Sequence, residues 1–159
     1  MTHRVYVENA QSERRVSEKM LTIIRKTVRE ALDFMQIGFP CEVDIKIVSK
    51  EEIRQLNAEF RDTDEPTDVL SFPSGEYDEE IIENLGKNEA LFLGDMALCP
   101  DKAYVQAAQA KHTPTKEITV LVAHSVLHLL GYDHYDPDEE KEMFALQEQI
   151  SENVIKRLK

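Results

Sequence analysis

The chain has no tryptophan, only two cysteines, five glycines and six prolines in 159 residues, and no excess of positive charge. Each shortage excludes something. Cys41 and Cys99 stand alone, with no Cys-x-x-Cys pair, so there is neither a disulfide framework nor a cysteine-built zinc finger. Both read as buried thiols in a reducing cytoplasm. No run approaches the roughly 18 apolar residues that suggest a membrane span, and Met1-Thr2-His3-Arg4-Val5-Tyr6 lacks the apolar stretch of a secretory signal. The expectation is a cytoplasmic protein with no membrane segment. There is no internal repeat or low-complexity tract. At 42% hydrophobic content, residues 1–159 suit a single domain with its own core.

The missing positive charge bears on partners. A net charge of −12 opposes a polyanion, because basic clusters are the usual footprint of nucleic-acid binding. The acids are concentrated, however. Residues 76–89 hold six acids and one lysine, as do residues 136–148, which is −5 for each segment and −10 together. Opposing them, Arg14, Arg15, Lys19, Arg25, Lys26 and Arg29 face only Glu18 in residues 14–29, a local +5. Several recur at three- or four-residue spacing, either a basic stripe for RNA on the first long helix or a solvated helix face.

What is present is a histidine cluster. His124-Ser125-Val126-Leu127-His128 puts two imidazoles on one helical face, a turn apart. Gly131 offers a left-handed exit, and the turn through Tyr132 and Asp133 can bring His134 back over that face. Three converging imidazoles suit a catalytic zinc with a fourth position open. The helix that carries them starts at Thr113-Pro114 and is apolar nearly all round from Ile118, so it reads as buried and central. Burying two imidazoles there without partners would be costly, and a metal removes the objection. In zinc proteases of the His-Glu-x-x-His type a glutamate beside the first histidine is the general base. Here that position is Ser125, which argues against a protease.

Strand and helix alternate along the chain. Strands are expected at Arg4–Glu8, Glu42–Val48, Asp68–Phe72 and Phe92–Leu98. Helices are expected at Ser12 to about Met35, Lys50–Arg61, Pro100–Ala110, the histidine helix, and Pro137–Arg157. Ser49 with Glu52 reads as a capping box for the second helix. Residues 74–90 read as a long, acidic, mobile surface loop near the site. The fold class is α/β or α+β: one domain with four strands in a small sheet and about five helices.

These blocks together resemble the YbeY family of bacterial single-strand-specific metallo-endoribonucleases that mature ribosomal RNA. Residues 124–134, His-Ser-Val-Leu-His-Leu-Leu-Gly-Tyr-Asp-His, are similar to its signature. So is residues 57–73, Asn-Ala-Glu-Phe-Arg-Asp-Thr-Asp-Glu-Pro-Thr-Asp-Val-Leu-Ser-Phe-Pro, and Leu93-Gly94-Asp95 sits where the family has a Leu-Gly-Asp strand. The resemblance spans essentially the whole chain. It implies a zincin-like mixed sheet packed against the histidine helix, and one Zn2+ per chain on His124, His128 and His134. It also implies a cytoplasmic role in 16S rRNA 3′-end maturation and ribosome quality control. The implied partners are single-stranded precursor rRNA and the ribosomal small subunit or its assembly proteins, with no DNA.

Arg61 reads from the residues alone as a surface arginine at a helix C-terminus, or as an ion-pair partner of Asp64 or Asp68. The resemblance places the family's functional arginine there, where a guanidinium fork can hold a phosphodiester. Asp133 and Asp95 read either as carboxylates that orient the metal ligands or as turn and cap aspartates. Three functions stay open: a zinc-dependent endoribonuclease, a ribosome-assembly or interaction factor with a structural zinc, and another zinc hydrolase.

Overall fold

The computed structural model describes residues 2–159. Among them run β1 (Arg4–Asn9), α1 (Glu18–Phe34), β2 (Cys41–Ile47), α2 (Lys50–Arg61), β3 (Val69–Pro73), α3 (Glu79–Glu83), β4 (Leu91–Leu98), α4 (Pro100–Ala110), α5 (Pro114–Leu129) and α6 (Pro137–Leu158). The sheet order is β1-β2-β4-β3; β1, β2 and β4 are parallel, and β3 joins antiparallel at the edge. The mixed four-stranded sheet is thus as expected. No helix among the described residues is long and apolar enough to cross a membrane.

The helix α5 sits at the centre because its residues from Ile118 onward are apolar except for Thr119, His124, Ser125 and His128. Ile118, Leu121, Val122, Ala123, Val126, Leu127 and Leu129 are all buried, on more than one side of the helix. One core joins α5 to α1, α6 and the alternate β2 residues Cys41, Val43, Ile45 and Ile47. A second, smaller core lies on the other face of the sheet, where Ile53 and Leu56 of α2 meet Leu70, Phe72 and Ala97. Burial pushes the Cys41 thiol up to about 12, consistent with an inert core residue.

Four expectations need correction. The first helix begins at Glu18, not Ser12, because Ser17 is the residue whose hydroxyl caps Met20 N–H. Gln11 instead folds residues 11–14 into a turn by bonding both the N–H and the carbonyl of Arg14. The basic stripe is therefore split, and Arg14 is bound to Asp101. At α2, Ser49 caps Glu52 N–H as expected, but the Glu52 carboxylate accepts from Lys46 at 2.9 Å, so the box is half made. Residues 74–90 contain a sixth helix, α3, capped by Asp78, and pack Ile82 and Leu85 on the core.

Gly94 fixes the join between β4 and β3. Its φ of +147° falls at the irregularity where β4 shifts register against β2. A Cβ there would sit 2.3 Å from the Phe72 carbonyl oxygen and 3.0 Å from Leu129 Cδ2. Gly94→Ala should destabilise the protein by about 1–3 kcal/mol through backbone strain and overpacking. Urea unfolding checks this; a midpoint equal to the native one would mean the strand can shift away freely.

Candidate metal centre

The three histidines predicted to converge do so. Each offers a ring nitrogen, and the three ligand atoms lie within 4.8 Å of one another. His124 and His128 come from the last turns of α5, with Nε2 atoms 3.0 Å apart. His134 arrives from the turn beyond, its ring stacked 5.7 Å from that of His124. The reversal is a Schellman motif at Gly131, φ +95°: Gly131 N–H donates to His128 O at 3.0 Å and Tyr132 N–H to Leu127 O at 2.9 Å.

Hydrogen bonds fix the tautomers of the first two rings. His128 Nδ1 lies 3.0 Å from the Tyr132 carbonyl, and His124 Nδ1 lies 2.7 Å from Gln147 Oε1. Both oxygens only accept, so both Nδ1 atoms carry the proton. Two Nε2 lone pairs then face each other with no proton between them. A cation shared by the pair turns that repulsion into coordination, and tetrahedral zinc with ligands at about 2.0–2.1 Å would set nitrogens roughly 3.3–3.4 Å apart. The donor set therefore fits a metal ion. Burial, above all, lowers the pKa of both rings, with neighbouring imidazole charge adding to the effect. Both are thus neutral ligands near neutral pH.

The cleft over these rings has a volume of about 880 Å³, and Arg61, Asp68, Asp133 and Gln147 line it with His124 and His128. Arg61 reaches it from the end of α2 and donates to the Ser71 carbonyl of β3 at 2.5 Å. Its guanidinium carbon lies 5.2 Å from the centre of the Phe72 ring. Of the alternatives open for Arg61, pairing with Asp64 does not occur, because Arg54 takes that carboxylate in a two-point contact. Asp68 accepts from Val69 N–H instead. Arg61 has no ion-pair partner among the described residues and donates only to the Phe60 and Ser71 carbonyls.

The two candidate supporting carboxylates fare differently. Asp133 is in the cleft, but its Oδ1 accepts from the His134 backbone N–H at 2.9 Å and so shapes the turn. Asp95 is elsewhere: it is paired in register with Asp44 across the sheet and lines a separate hollow with Tyr6 and Lys46. Burial and the Asp44 charge raise its pKa there. The orienting groups are instead the Tyr132 carbonyl and Gln147, which the sequence reading missed. Its one signal was a glutamine on the buried stripe Met143, Gln147, Ile150, Val154 of α6. None of the six basic residues at 14–29 lines the cleft.

Ser125, at the position of the protease glutamate, is fully buried and shares a 2.6 Å hydrogen bond with the Ser71 hydroxyl. It fastens α5 to β3 at the strand residue whose carbonyl holds Arg61.

Fold and site together define an α/β protein with three clustered histidines that could hold a metal ion, two from a buried helix and one from the turn after it, beside an edge strand. The family model of endoribonuclease YbeY matches residues 6–155, and the chain belongs to that family. It is 36% identical over 155 residues to the endoribonuclease YbeY of Acetivibrio thermocellus, covering 94% of this chain and 96% of the relative. To that of Bacillus cereus strain G9842 it is 39% identical over 137 residues, covering 86% and 88%. The solution structure of TM1509 from Thermotoga maritima superposes with a TM-score of 0.65 at 30% identity, covering 97% of this chain and 91% of that one.

Ser125→Ala should cost about 1–3 kcal/mol, because it leaves the Ser71 hydroxyl without its partner. Adding Ser71→Ala should cost less than the sum of the two single changes, which urea unfolding of the four proteins measures. Strict additivity would show that the two hydroxyls do not interact.

Proposed function

We propose that this chain, as a single domain over residues 1–159, is a zinc-dependent, single-strand-specific endoribonuclease of the cytoplasm. Its place would be ribosomal RNA processing, at the 3′ end of 16S rRNA and in ribosome quality control, acting with the small subunit or its assembly proteins. The observation that carries this is a guanidinium without an ion-pair partner among the described residues, lining the same cleft as His124 and His128, on which His134 converges. The relatives named above, called endoribonucleases, supply the substrate class.

Zinc held by His124, His128 and His134 would supply Lewis acidity toward a water or a phosphate oxygen. The protein's own groups do the rest. Gln147 and the Tyr132 carbonyl keep the Nδ1 protons in place and so aim both Nε2 lone pairs. Arg61 holds the scissile phosphodiester by its planar fork and stabilises the charge that grows on it. Ser125 takes no proton, since it is sealed against Ser71. Electrostatics must therefore lower more of the barrier than in enzymes with a glutamate at that position.

The second reading is an assembly factor with a structural metal. It is favoured by the acidic segments 76–89 and 136–148, each of which contributes one neutral residue, Tyr77 and Gln147, to the cleft lining. Cleavage of defined single- and double-stranded RNA by native, chelated and His124→Ala protein separates the two. Loss of cutting in the last two supports the nuclease; cutting indifferent to both, or no cutting at all, favours the assembly factor.

The site yields expectations for the metal and for Arg61. Elemental analysis should find one zinc per native chain, and none in the His124→Ala, His128→Ala double variant. Gln147→Leu should weaken zinc binding by about 10- to 100-fold in competition with a chromogenic chelator. Arg61→Ala should slow turnover roughly 30- to 1000-fold, corresponding to about 2–4 kcal/mol of transition-state stabilisation. Arg61→Lys should be nearly as slow, because it keeps the charge but loses the fork. Both Arg61 variants should retain native zinc content.

A further inference from the structure

Arg61 is the sole lysine or arginine lining the cleft among the described residues, and Asp68 and Asp133 line it with opposite charge. A strand of RNA cannot be held there by counterion release, which needs many cations. Aromatic surface is what the rim offers instead. Tyr135 follows His134 directly, lines the cleft and is 87% exposed. Tyr77 lines the cleft from the segment between β3 and α3 and is 41% exposed, with its ring braced by Phe39 at 6.3 Å. Neither phenol makes a hydrogen bond among the described residues, and Tyr135 contributes nothing to the core. The Tyr135 ring, kept in water at the mouth of the cleft, has no structural reason to be aromatic, and Tyr77, braced on one side by Phe39, leaves part of its ring open to the same cleft.

We propose that Tyr77 and Tyr135 are base-stacking platforms that hold the nucleotides flanking the phosphate at Arg61. This rests on the endoribonuclease reading and accounts for its preference for unpaired RNA. Every base has a π-face, so stacking supplies affinity without charge and without sequence preference. In a duplex those faces are already covered, and exposing them requires unpairing. Binding should then depend weakly on salt, since each phosphate contact to a single strand contributes a slope of only about −0.7 in log K against log salt.

The test uses the zinc-loaded native chain and a single-stranded oligonucleotide carrying 2-aminopurine on a 2′-O-methyl backbone, which suppresses cleavage. Binding should quench the 2-aminopurine, with a salt slope between zero and about −1.5. Tyr77→Ala and Tyr135→Ala should each weaken binding on the order of 5- to 100-fold. In RNA cleavage the same factor should fall on KM and not on kcat, zinc content should not change, and Tyr135→Phe should restore the native KM. Abasic sugars in the oligonucleotide should weaken native binding and remove its sensitivity to both alanine variants. Native KM and affinity in both alanine variants, or undiminished binding of the abasic strand, overturns the proposal while leaving the nuclease reading intact. Tyrosine-dependent quenching without any cleavage leaves the platforms standing and removes the nuclease.

Discussion

Two imidazole lone pairs confront each other 3.0 Å apart on a helix sealed inside the core, and much of the surrounding structure serves to keep them there. Left free, either ring would flip or move its proton to Nε2 and relieve the repulsion. Gln147 and the Tyr132 carbonyl prevent this by claiming both Nδ1 protons. Each anchor rests on further structure. Gln147 is positioned by the packing of α6 on α5, which a 2.7 Å hydrogen bond between the Thr119 and Ser151 hydroxyls also ties together. The Tyr132 carbonyl is positioned by the Schellman turn, which needs the positive φ of Gly131. The ligand geometry is thus prepared by folding, so that a metal ion meets neutral, aimed donors rather than a flexible cluster.

What was legible in the sequence was local. The three histidines, the last turns of the helix that carries two of them and the glycine that turns the chain lie within eleven residues, so helical periodicity and one left-handed residue were enough to bring them together. The strands and most helices were legible for the same reason. Gln147 was not, because 23 residues separate it from His124 and only helix packing joins them. Asp95 was misleading for a different reason. Strict alternation puts residue 95 on the same side as Leu91 and Leu93, toward the core. The irregularity at Gly94 shifts the phase, so Met96 and Leu98 continue the core face and Asp95 turns to the other. Likewise the basic stripe lost Arg14 and Arg15 because the helix starts at Glu18, after the turn that Gln11 makes, while Lys19, Arg25, Lys26 and Arg29 stay on α1.

Arg61 reaches the cleft only because of the sheet order. The helix α2 packs on the face of the sheet opposite α5, as its contacts with Leu70, Phe72 and Ala97 show. Its last residue must therefore pass around a sheet edge to meet the histidines, and β3 is that edge. Asp68 and Ser74 spend backbone groups on β4, through Cys99 N–H to Asp68 O and Ser74 N–H to Leu93 O. The alternation of an antiparallel pair then leaves the backbone of Val69, Ser71 and Pro73 facing outward. Arg61 occupies the Ser71 carbonyl on that open side.

An exposed edge strand is ordinarily a hazard, since its unpaired groups invite another strand. Here the edge is short, Pro73 has no N–H to offer, and the guanidinium covers a carbonyl. The same features that blunt the edge also build the site: β3 is joined to α5 by the Ser71 and Ser125 hydroxyls and to α2 by the Ser71 carbonyl. One strand residue consequently sets the separation between the arginine from one face of the sheet and the imidazoles from the other. A further strand beyond β3 would pair its backbone and bury the passage that Arg61 uses. Arg61 can therefore line the cleft by this route only while the antiparallel strand lies outermost in the sheet.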